Sequence, residues 1–154
     1  MATTFIIMWI VVPQISSVRA EAPQVNIDES ISHLHEAEYS KEEIINLVGL
    51  YAAKYGVDEF VMQQVVFHES GYDPKNEGDY YNGKYNSFGL SQIHLPSHPN
   101  VTREQAEDPH FALEFMAKNI KAGRGRMWTG YRLCILNETI IFKGQQLHCV
   151  HLTK

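Results

Sequence analysis

Residues 58–71, DEFVMQQVVFHESG, decide the fold because they predict a short helix with an acidic residue on its apolar side. Asp58 is a suitable N-cap for this helix, and Gly71 is a suitable C-terminal stop. Helical spacing places Glu69 on the face that also carries three apolar residues, Met62, Val65 and Val66. A carboxyl group at that position loses hydration and meets the negative end of the helix dipole. Both effects favour its protonated form.

The position of Glu69 suits acid catalysis. A carboxylic acid that stays protonated near neutral pH is what general-acid cleavage of a glycosidic bond requires. The alternative is a frayed helix end with the Glu69 side chain in water, where most glutamates lie. The helix alone does not decide between these two interpretations.

Length and composition predict one globular domain. The chain has 154 residues, of which 44% are hydrophobic and 20% are charged, and this is enough for a real hydrophobic core. The formal net charge of −5 argues against nucleic acid as a general partner.

The N-terminus resembles an export signal. Residues 5–12, FIIMWIVV, form an apolar run that is too short to span a bilayer, and a small-residue site follows at Val18-Arg-Ala20. We therefore expect residues 1–20 to be a signal peptide. The preceding Met-Ala-Thr-Thr lacks a basic residue, so an uncleaved membrane anchor is the alternative. Both interpretations place the domain outside the cytoplasm, in the periplasm, at the cell wall or secreted.

The two cysteines, Cys134 and Cys149, flank a short C-terminal segment. In an exported chain a disulfide between them is plausible and would have a structural role.

The polarity and apolar periodicity of the sequence divide the rest of the chain into an arm, a helical domain and a tail. Residues 21–39 are polar and predict a loosely packed arm. A capping box at residues 40–43, SKEE, opens a helix that stops at Gly56. We take the domain as residues 40–134, and periodicity does not place the tail, residues 135–154.

The middle of the domain predicts a hairpin followed by more helices. Asn82-Gly83 lies between tyrosine-rich flanks, which is typical of a two-residue hairpin turn. The apolar run at residues 88–93 suggests the start of another helix. A second capping box at residues 102–105, TREQ, predicts one short turn, and Asp108-Pro109 begins the next helix. Residues 126–134 predict the last helix.

The short motifs of this domain, taken in their order along the chain, resemble those of the lysozyme superfamily. The resemblance is strongest to the soluble lytic transglycosylase (SLT) family and its goose-type lysozyme relatives. The resemblance covers about residues 40–131. It is carried by YGVD at 55–58, ES at 69–70, DP at 73–74, SFGLSQI at 87–93, DP at 108–109 and NIKAG at 119–123.

The resemblance implies a mainly α, lysozyme-like α+β fold in which a small hairpin forms one wall of a glycan cleft. It implies cleavage of the β-1,4 bond between N-acetylmuramic acid and N-acetylglucosamine in peptidoglycan strands, without a cofactor. By position, Glu69 is the general acid and then the base, Ser70 supports its carboxylate, and Gln92 lines the sugar groove. The structural alternatives are that Ser70 only caps its helix and that Gln92 only pairs with loop backbone.

Two departures from the family pattern alter these expectations. The family usually has a Tyr-Asn pair late in the domain, whereas here Tyr131 is followed by Arg132. Tyr131 is therefore a candidate substrate contact without its usual partner. Ser91 stands where the family prefers Met, which changes one wall of the groove.

A second carboxylate would separate hydrolysis from transglycosylation. An inverting glycosidase needs one about 6.5–9.5 Å from the acid, to activate water. Goose-type lysozymes have an Asp where His94 stands here, which leaves Asp79 as the candidate, with Asp73 and Glu77 weaker. This substitution favours the transglycosylase, in which Glu69 acts alone. A muramidase that uses Asp79 is the alternative, and a catalytically silent glycan-binding or wall-assembly module is the third.

Two further patterns are weaker. His94 and His98 are four residues apart, but Pro96 excludes the helix that would align them, so we expect no metal site. The hairpin tyrosines, Tyr80, Tyr81 and Tyr85, could stack on sugar rings or could simply favour a strand.

Overall fold

The helix expected from residues 58–71 is present in the computed structural model as α2 (Glu59–Ser70). The Asp58 side chain accepts a hydrogen bond from the Val61 amide at 3.0 Å, and Gly71 ends the helix in the left-handed conformation with φ of 63°. All three apolar residues on the face of Glu69 are fully buried. The N-cap, the stop and the buried face predicted from the sequence are therefore confirmed.

The helix before it, α1 (Lys41–Tyr55), is also bounded as predicted. The Ser40 hydroxyl accepts from the Glu43 amide, and the Glu43 carboxylate accepts from the Ser40 amide, which completes the capping box. Gly56 ends the helix with φ of 62°. Helix α1 packs against both α2 and the long helix α4 (Pro109–Lys121), so it lies at the centre of the helical layer.

The remaining helices are short. The second capping box begins α3 (Arg103–Glu107), as expected, and the Asp108 side chain caps α4. The segment expected to form one last helix divides into a 3₁₀ turn (Gly125–Met127) and α5 (Thr129–Cys134). A further 3₁₀ turn (Leu95–Ser97) follows the sheet.

A small antiparallel sheet of three strands stands beside the helices. It contains β1 (Glu77–Gly78), β2 (Ser87–Phe88) and β3 (Ile93–His94), in that spatial order. Glu77 pairs with Phe88, which in turn pairs with Ile93. The predicted turn at Asn82-Gly83 is present, since Tyr81 and Lys84 form an isolated bridge on either side of it.

The helix expected to start in residues 88–93 was wrong. Gly89 and Gln92 have φ of 74° and 45°, and this left-handed conformation breaks a right-handed helix. The chain reverses tightly instead and connects β2 to β3. The apolar run that suggested a helix is buried because the strand ends pack inward: Phe88, Leu90 and Ile93 are at most 5% exposed.

The tail that periodicity did not place contains a second hairpin. It pairs β4 (Ile140–Phe142) with β5 (Gln145–Leu147), and Gly144 in its turn has φ of 79°. Cys134 and Cys149 form the disulfide that the sequence made plausible, which ties the end of this hairpin to the end of α5. The buried Gln64 amide also donates to the Cys149 sulfur, so the tail is attached to α2 as well.

The structure describes residues 39–142 and 144–149 and is mainly helical with small antiparallel sheets, a mixed α+β fold. The main core lies between α1, α2 and α4, and a smaller cluster of Phe88, Ile93 and Ala106 joins the sheet to α3. The predicted signal segment and all but the last residue of the predicted arm lie outside the described residues. Within the described ranges, no helix combines the length and apolar character needed to cross a membrane.

Removal of the disulfide tests how strongly the tail stabilises the domain. The cysteines are 15 positions apart, and closing a loop of this length contributes about 3 kcal/mol. We expect the double variant Cys134→Ser and Cys149→Ser to lose about that much of its free energy of unfolding in urea. Dithiothreitol should cause the same loss in the wild type and none in the variant. Equal stability of oxidised and reduced wild type would contradict a stabilising tether.

Candidate active site

A cleft of about 330 Å³ lies between the end of α2, the sheet and the start of α5. Glu69 reaches it from α2, Asp79 and Ser87 from the two sides of the first hairpin, and His94 from β3. Trp128 and Thr129 contribute the side next to α5. Residues far apart in the chain therefore meet here, and three of the predicted site residues are among them: Glu69, Asp79 and Gln92.

The Glu69 carboxylate is held by the first turn of α5. Its Oε1 accepts a hydrogen bond from the Gly130 amide at 2.8 Å, and the Thr129 backbone bonds to it as well. Trp128, at the N-cap of α5, has no side-chain cap of its own. Glu69 thus satisfies amide groups at the start of a helix from another part of the chain. The side chain is half-buried, so the frayed end in water is not what the structure contains.

Opposing effects act on the pKa of Glu69, and the net result is a raised pKa. Burial of the carboxyl group is the largest effect and raises the pKa, since it removes water from the charged form. The charge of Asp79 raises it further. The Gly130 and Thr129 amides lower it by bonding to the carboxylate. The direction of this pKa agrees with the expectation from the sequence. Burial of the carboxyl group contributes most to it, and the charge of Asp79 adds to it.

A close approach between α2 and α5 makes this contact possible. A Cβ atom at Gly130 would lie 2.7 Å from the Cβ of His68 and 3.4 Å from the Glu69 Oε1. Only a residue without a side chain therefore lets α5 come near enough to donate its amide to Glu69. The His68 ring, half-buried in the same contact, hydrogen-bonds to the backbone of His148 in the tail.

Asp79 has a fixed place on the opposite side of the cleft. Its backbone takes φ of 53°, a conformation that Asp tolerates better than most residues, and its carboxylate accepts a hydrogen bond from the Ser87 hydroxyl. The Asn86 amide donates to the Asp79 carbonyl at 3.0 Å. The second carboxylate proposed from the sequence therefore shares the cleft with Glu69.

Gln92 lines the cleft, but its amide is engaged with the loops. Its Nε2 donates to the carbonyl oxygens of Asn76 and Gly89, each at 3.1 Å. A Cβ atom at Gly78 would lie 2.1 Å from the Gln92 Oε1, so the amide fills the space that this glycine leaves. Asn76 in turn donates from its side chain to the Glu69 carbonyl at 3.1 Å. Gln92 thus connects the sheet to the end of α2.

Two predicted site residues lie outside the cleft lining. The Ser70 hydroxyl donates to the Val66 carbonyl of its own helix at 3.0 Å, so it does not support the Glu69 carboxylate. The Tyr131 ring packs on the turn before α5, where a Cβ atom at Gly125 would lie 2.6 Å from two of its carbon atoms. Neither residue is among those that line the cleft, and the expected contact of each with substrate stays a prediction.

Several residues that build the site were not predicted from the sequence. The Trp128 indole donates to the Ser91 carbonyl at 2.8 Å, and the buried Ser91 hydroxyl donates to the Ala112 carbonyl at 2.6 Å. These bonds hold the start of α5 and the sheet turn on α4. A glycine in the first turn of a short helix was the available signal for Gly130, since an unfavourable helix residue often marks a close approach.

Residues 39–142 and 144–149 contain no group of three or more His, Cys, Asp or Glu side chains placed to hold an ion. The His94 ring bonds through Nδ1 to the Ser97 hydroxyl at 2.8 Å, and the His98 ring packs edge-on against Phe115.

A second cavity, of about 420 Å³, lies beside α3 and is a weaker candidate. Burial raises the pKa of its Glu107, but hydrogen bonds from Arg103 and Lys75 outweigh burial and leave the pKa lowered. Asp108 caps α4 through the Phe111 amide. These acids are already paired or act as caps, whereas Glu69 is an acid with a raised pKa that faces a cleft.

Comparison with protein-family models, curated proteins and solved structures found no match to this chain.

Substitution of Gly130 tests the close approach of the two helices. We expect Gly130→Ala to lose roughly 1–3 kcal/mol in its free energy of unfolding, because the new methyl group overpacks the contact with His68. Gly49→Ala, within α1, is the matched control, since its Cβ would meet only the flexible carboxyl end of Glu59 at the start of α2. Helix propensity predicts that the control is neutral or more stable, by up to about 1 kcal/mol. Equal urea stabilities of the two variants would contradict the proposed constraint.

The raised pKa of Glu69 predicts how stability depends on pH. Between the unfolded pKa of about 4.3 and the higher folded pKa, the folded state binds more protons, so its stability falls as pH rises. Glu69→Gln keeps an acceptor for the Gly130 amide and removes this penalty. We expect the variant to be more stable than wild type at pH 7, by about 1.4 kcal/mol for each unit of raised pKa.

The same comparison at low pH provides the control. Below about pH 4 the advantage of Glu69→Gln should disappear, since wild-type Glu69 is then protonated in both states. Glu42→Gln, on the exposed first turn of α1, corrects for the general effect of removing one negative charge. Urea unfolding at both pH values measures the difference. A wild type that is the more stable protein at pH 7 would contradict the raised pKa.

Proposed function

We propose that this chain is a lysozyme-like peptidoglycan lytic transglycosylase, with Glu69 as its single catalytic acid. One observation carries the proposal. The Glu69 carboxyl group faces a cleft, its pKa is raised mainly by burial, and backbone amide groups hold it in place. A group with these properties can deliver a proton to a leaving oxygen near neutral pH. The sequence resemblance supports the β-1,4 bond of peptidoglycan as the bond that Glu69 would cleave.

In the proposed reaction Glu69 acts twice. First, its carboxyl proton passes to the glycosidic oxygen while the bond from that oxygen to the muramyl C1 breaks. The substrate's own acetamido oxygen stabilises the positive charge at C1. The Glu69 carboxylate then removes the proton from the muramyl 6-hydroxyl, whose oxygen bonds to C1 and closes the 1,6-anhydro ring. Glu69 ends protonated, and no water is consumed.

The Gly130 amide has a part in the middle of this cycle. After the first step Glu69 is a carboxylate in a half-buried position, which burial disfavours. The hydrogen bond of 2.8 Å to the Gly130 amide stabilises that charged form. The same bond fixes the direction of the carboxyl group, and proton transfer depends on this direction.

A specific observation also supports a second candidate, a muramidase. Asp79 shares the cleft with Glu69, is oriented by Ser87, and is close enough for its charge to raise the pKa of Glu69. A carboxylate across a cleft from a general acid can activate water. His94 stands where the goose-type enzymes have their Asp, and this substitution still favours the transglycosylase.

The products formed from purified peptidoglycan test the proposal. We expect wild type to release muropeptides with 1,6-anhydro ends, detected by mass spectrometry. Glu69→Gln should lower the rate by roughly 10²–10⁴-fold, the usual contribution of a general acid. New reducing ends would instead identify the muramidase. Unchanged sacculi, or turnover that survives Glu69→Gln, would overturn catalysis by Glu69, and binding without turnover would support a silent wall-binding module.

Asp79→Asn separates the two enzymatic candidates. A transglycosylase should keep forming anhydro products after this change, and a muramidase should stop releasing reducing ends. Removing the charge of Asp79 also lowers the pKa of Glu69, since that charge raises it in the wild type. The alkaline limb of the transglycosylase pH profile should therefore move to lower pH. Exposed Asp58→Asn, at the far end of α2, is the matched control and should leave the profile in place.

A further inference from the structure

We infer that the tip of the first hairpin carries a second glycan-binding surface, which holds the strand outside the cleft. This surface, called here the tyrosine patch, consists of Tyr80, Tyr81 and Tyr85. The inference rests on the proposed function and deepens it, because it assigns the enzyme to extended glycan strands rather than to short fragments.

The tyrosine patch concentrates exposed aromatic surface in one turn. Tyr80, Tyr81 and Tyr85 are 65%, 69% and 43% exposed, all within six consecutive residues. Within the described residues, no hydrogen bond engages their hydroxyl groups, so these groups are available to a ligand. Exposed aromatic rings grouped in this way commonly mark a binding surface rather than a stabilising contact.

The geometry of the tyrosine patch is defined before any ligand binds. The rings of Tyr80 and Tyr85 meet edge to face, with centroids 5.0 Å apart and planes at 62°. This arrangement is a favourable one for aromatic pairs, and it fixes one ring against the other while both remain exposed. A tyrosine has only two side-chain torsions to order, so binding through it costs little conformational entropy.

The turn that presents the tyrosine patch is also well defined. Asn82 and Gly83 have φ of 51° and 81°, the left-handed pair that a tight hairpin turn of this type needs. Two backbone hydrogen bonds, at 2.8 and 3.2 Å, join Tyr81 to Lys84 across it. At the base, the Asn86 amide fastens the two sides by donating to the Asp79 carbonyl. The tip is thus tied to the sheet.

The tyrosine patch and one side of the cleft belong to the same hairpin. Asp79 and Ser87, which line the cleft together with Glu69, lie directly at the base of this hairpin. A polymer that lies in the cleft and leaves on that side passes the tip. Tyr85 also lines an open groove of about 460 Å³ beside the hairpin, together with Lys84 and Leu95. This groove adds a concave surface next to the exposed ring.

The chemistry of the tyrosine patch suits sugar rings. A sugar presents C–H groups on its faces, which carry slight positive charge and pack on the negative face of an aromatic ring. Its hydroxyl and acetamido groups can bond to the phenol hydroxyls at the ring edges. A protein partner is less well matched, since three side chains on one turn are far smaller than the roughly 800 Å² per partner of a standard interface.

Binding to insoluble peptidoglycan tests the inference in the full chain. All proteins carry Glu69→Gln so that the polymer stays intact, and the bound fraction is measured by sedimentation with purified sacculi. We expect the triple variant Tyr80→Ala, Tyr81→Ala and Tyr85→Ala to bind at least about tenfold more weakly, because it loses three ring contacts with the glycan. The corresponding Tyr→Phe triple variant keeps the rings and should retain most of the binding.

Two controls separate the possible results. Phe60→Ala removes an exposed aromatic ring from the far end of α2 and should bind as the parent does. Thermal unfolding checks that each variant is folded. If the triple alanine variant is not, the single variant Tyr81→Ala replaces it, since this change leaves the ring pair of Tyr80 and Tyr85 intact and should still weaken binding. Loss of binding in a folded Tyr→Ala protein, with binding kept in Tyr→Phe, supports the inference.

The inference can fail while the proposed function stands. In the active enzyme, the Tyr→Ala variant should lose about tenfold in turnover of long strands but little in turnover of short soluble fragments, again from the ring contacts. Equal binding and equal long-strand turnover, in a wild type that does form anhydro products, would overturn the tyrosine patch alone. A wild type that neither binds nor cleaves any glycan would overturn both proposals. A patch that instead captures a protein would also overturn this one.

Discussion

The hydrogen bond between the Glu69 carboxylate and the Gly130 amide is the contact on which the cleft depends. It joins the end of α2 to the start of α5, two helices that also pack closely on each other. The bond needs the missing side chain at Gly130, where a Cβ would lie 2.7 Å from His68. It also requires that α5 stays in place, and both the Trp128 indole bond to Ser91 and the disulfide at Cys134 fasten that helix. The position of one acid therefore rests on contacts that span α4, the sheet turn and the C-terminal hairpin.

The surroundings of Glu69 apply opposite effects to the same carboxyl group. Burial and the charge of Asp79 disfavour ionisation, whereas the backbone amides of Thr129 and Gly130 favour it. With burial and the Asp79 charge alone, Glu69 would be a neutral acid without a hydrogen bond to orient it. With the backbone amides alone, it would stay ionised. Acid catalysis followed by base catalysis uses both forms of one group. The net raised pKa, with a hydrogen bond retained, is an arrangement that serves both. Its cost is a fold that is less stable near neutral pH than an uncharged side chain would make it.

Local signals predicted the helices of this chain well, and non-local contacts explain what was missed. Asp58, Gly71 and the capping box at Ser40 act within a few residues, so the bounds of α1 and α2 could be predicted from them. The turn at residues 89–92 was mistaken for a helix because its apolar residues are buried by the sheet, and because Gln92 takes a left-handed conformation that its residue type does not announce. The roles expected of Ser70 and Tyr131 came from resemblance, and local pattern did not show that Ser70 bonds within its own helix or that Tyr131 packs on Gly125. Gly130 bonds to Glu69, which lies 61 positions earlier in the chain, and no local pattern contains such a contact.

The polar side chains of Gln92 and Asn76 bond to backbone carbonyl groups, and these bonds stabilise the short sheet that forms one wall of the cleft. Gln92 donates to the Asn76 carbonyl, and Asn76 donates to the Glu69 carbonyl, so hydrogen bonds lead from the sheet back to the acid. Strands of two residues have little ladder bonding of their own, and such a sheet is marginal alone. The side-chain bonds to backbone carbonyls compensate for that weakness. The same hairpin carries Asp79 at its base and Tyr80 and Tyr85 near its tip. If the proposed function and the tyrosine patch are both correct, one element would set the charge near Glu69 and also hold the strand, and a change that loosens residues 77–88 would disturb both together.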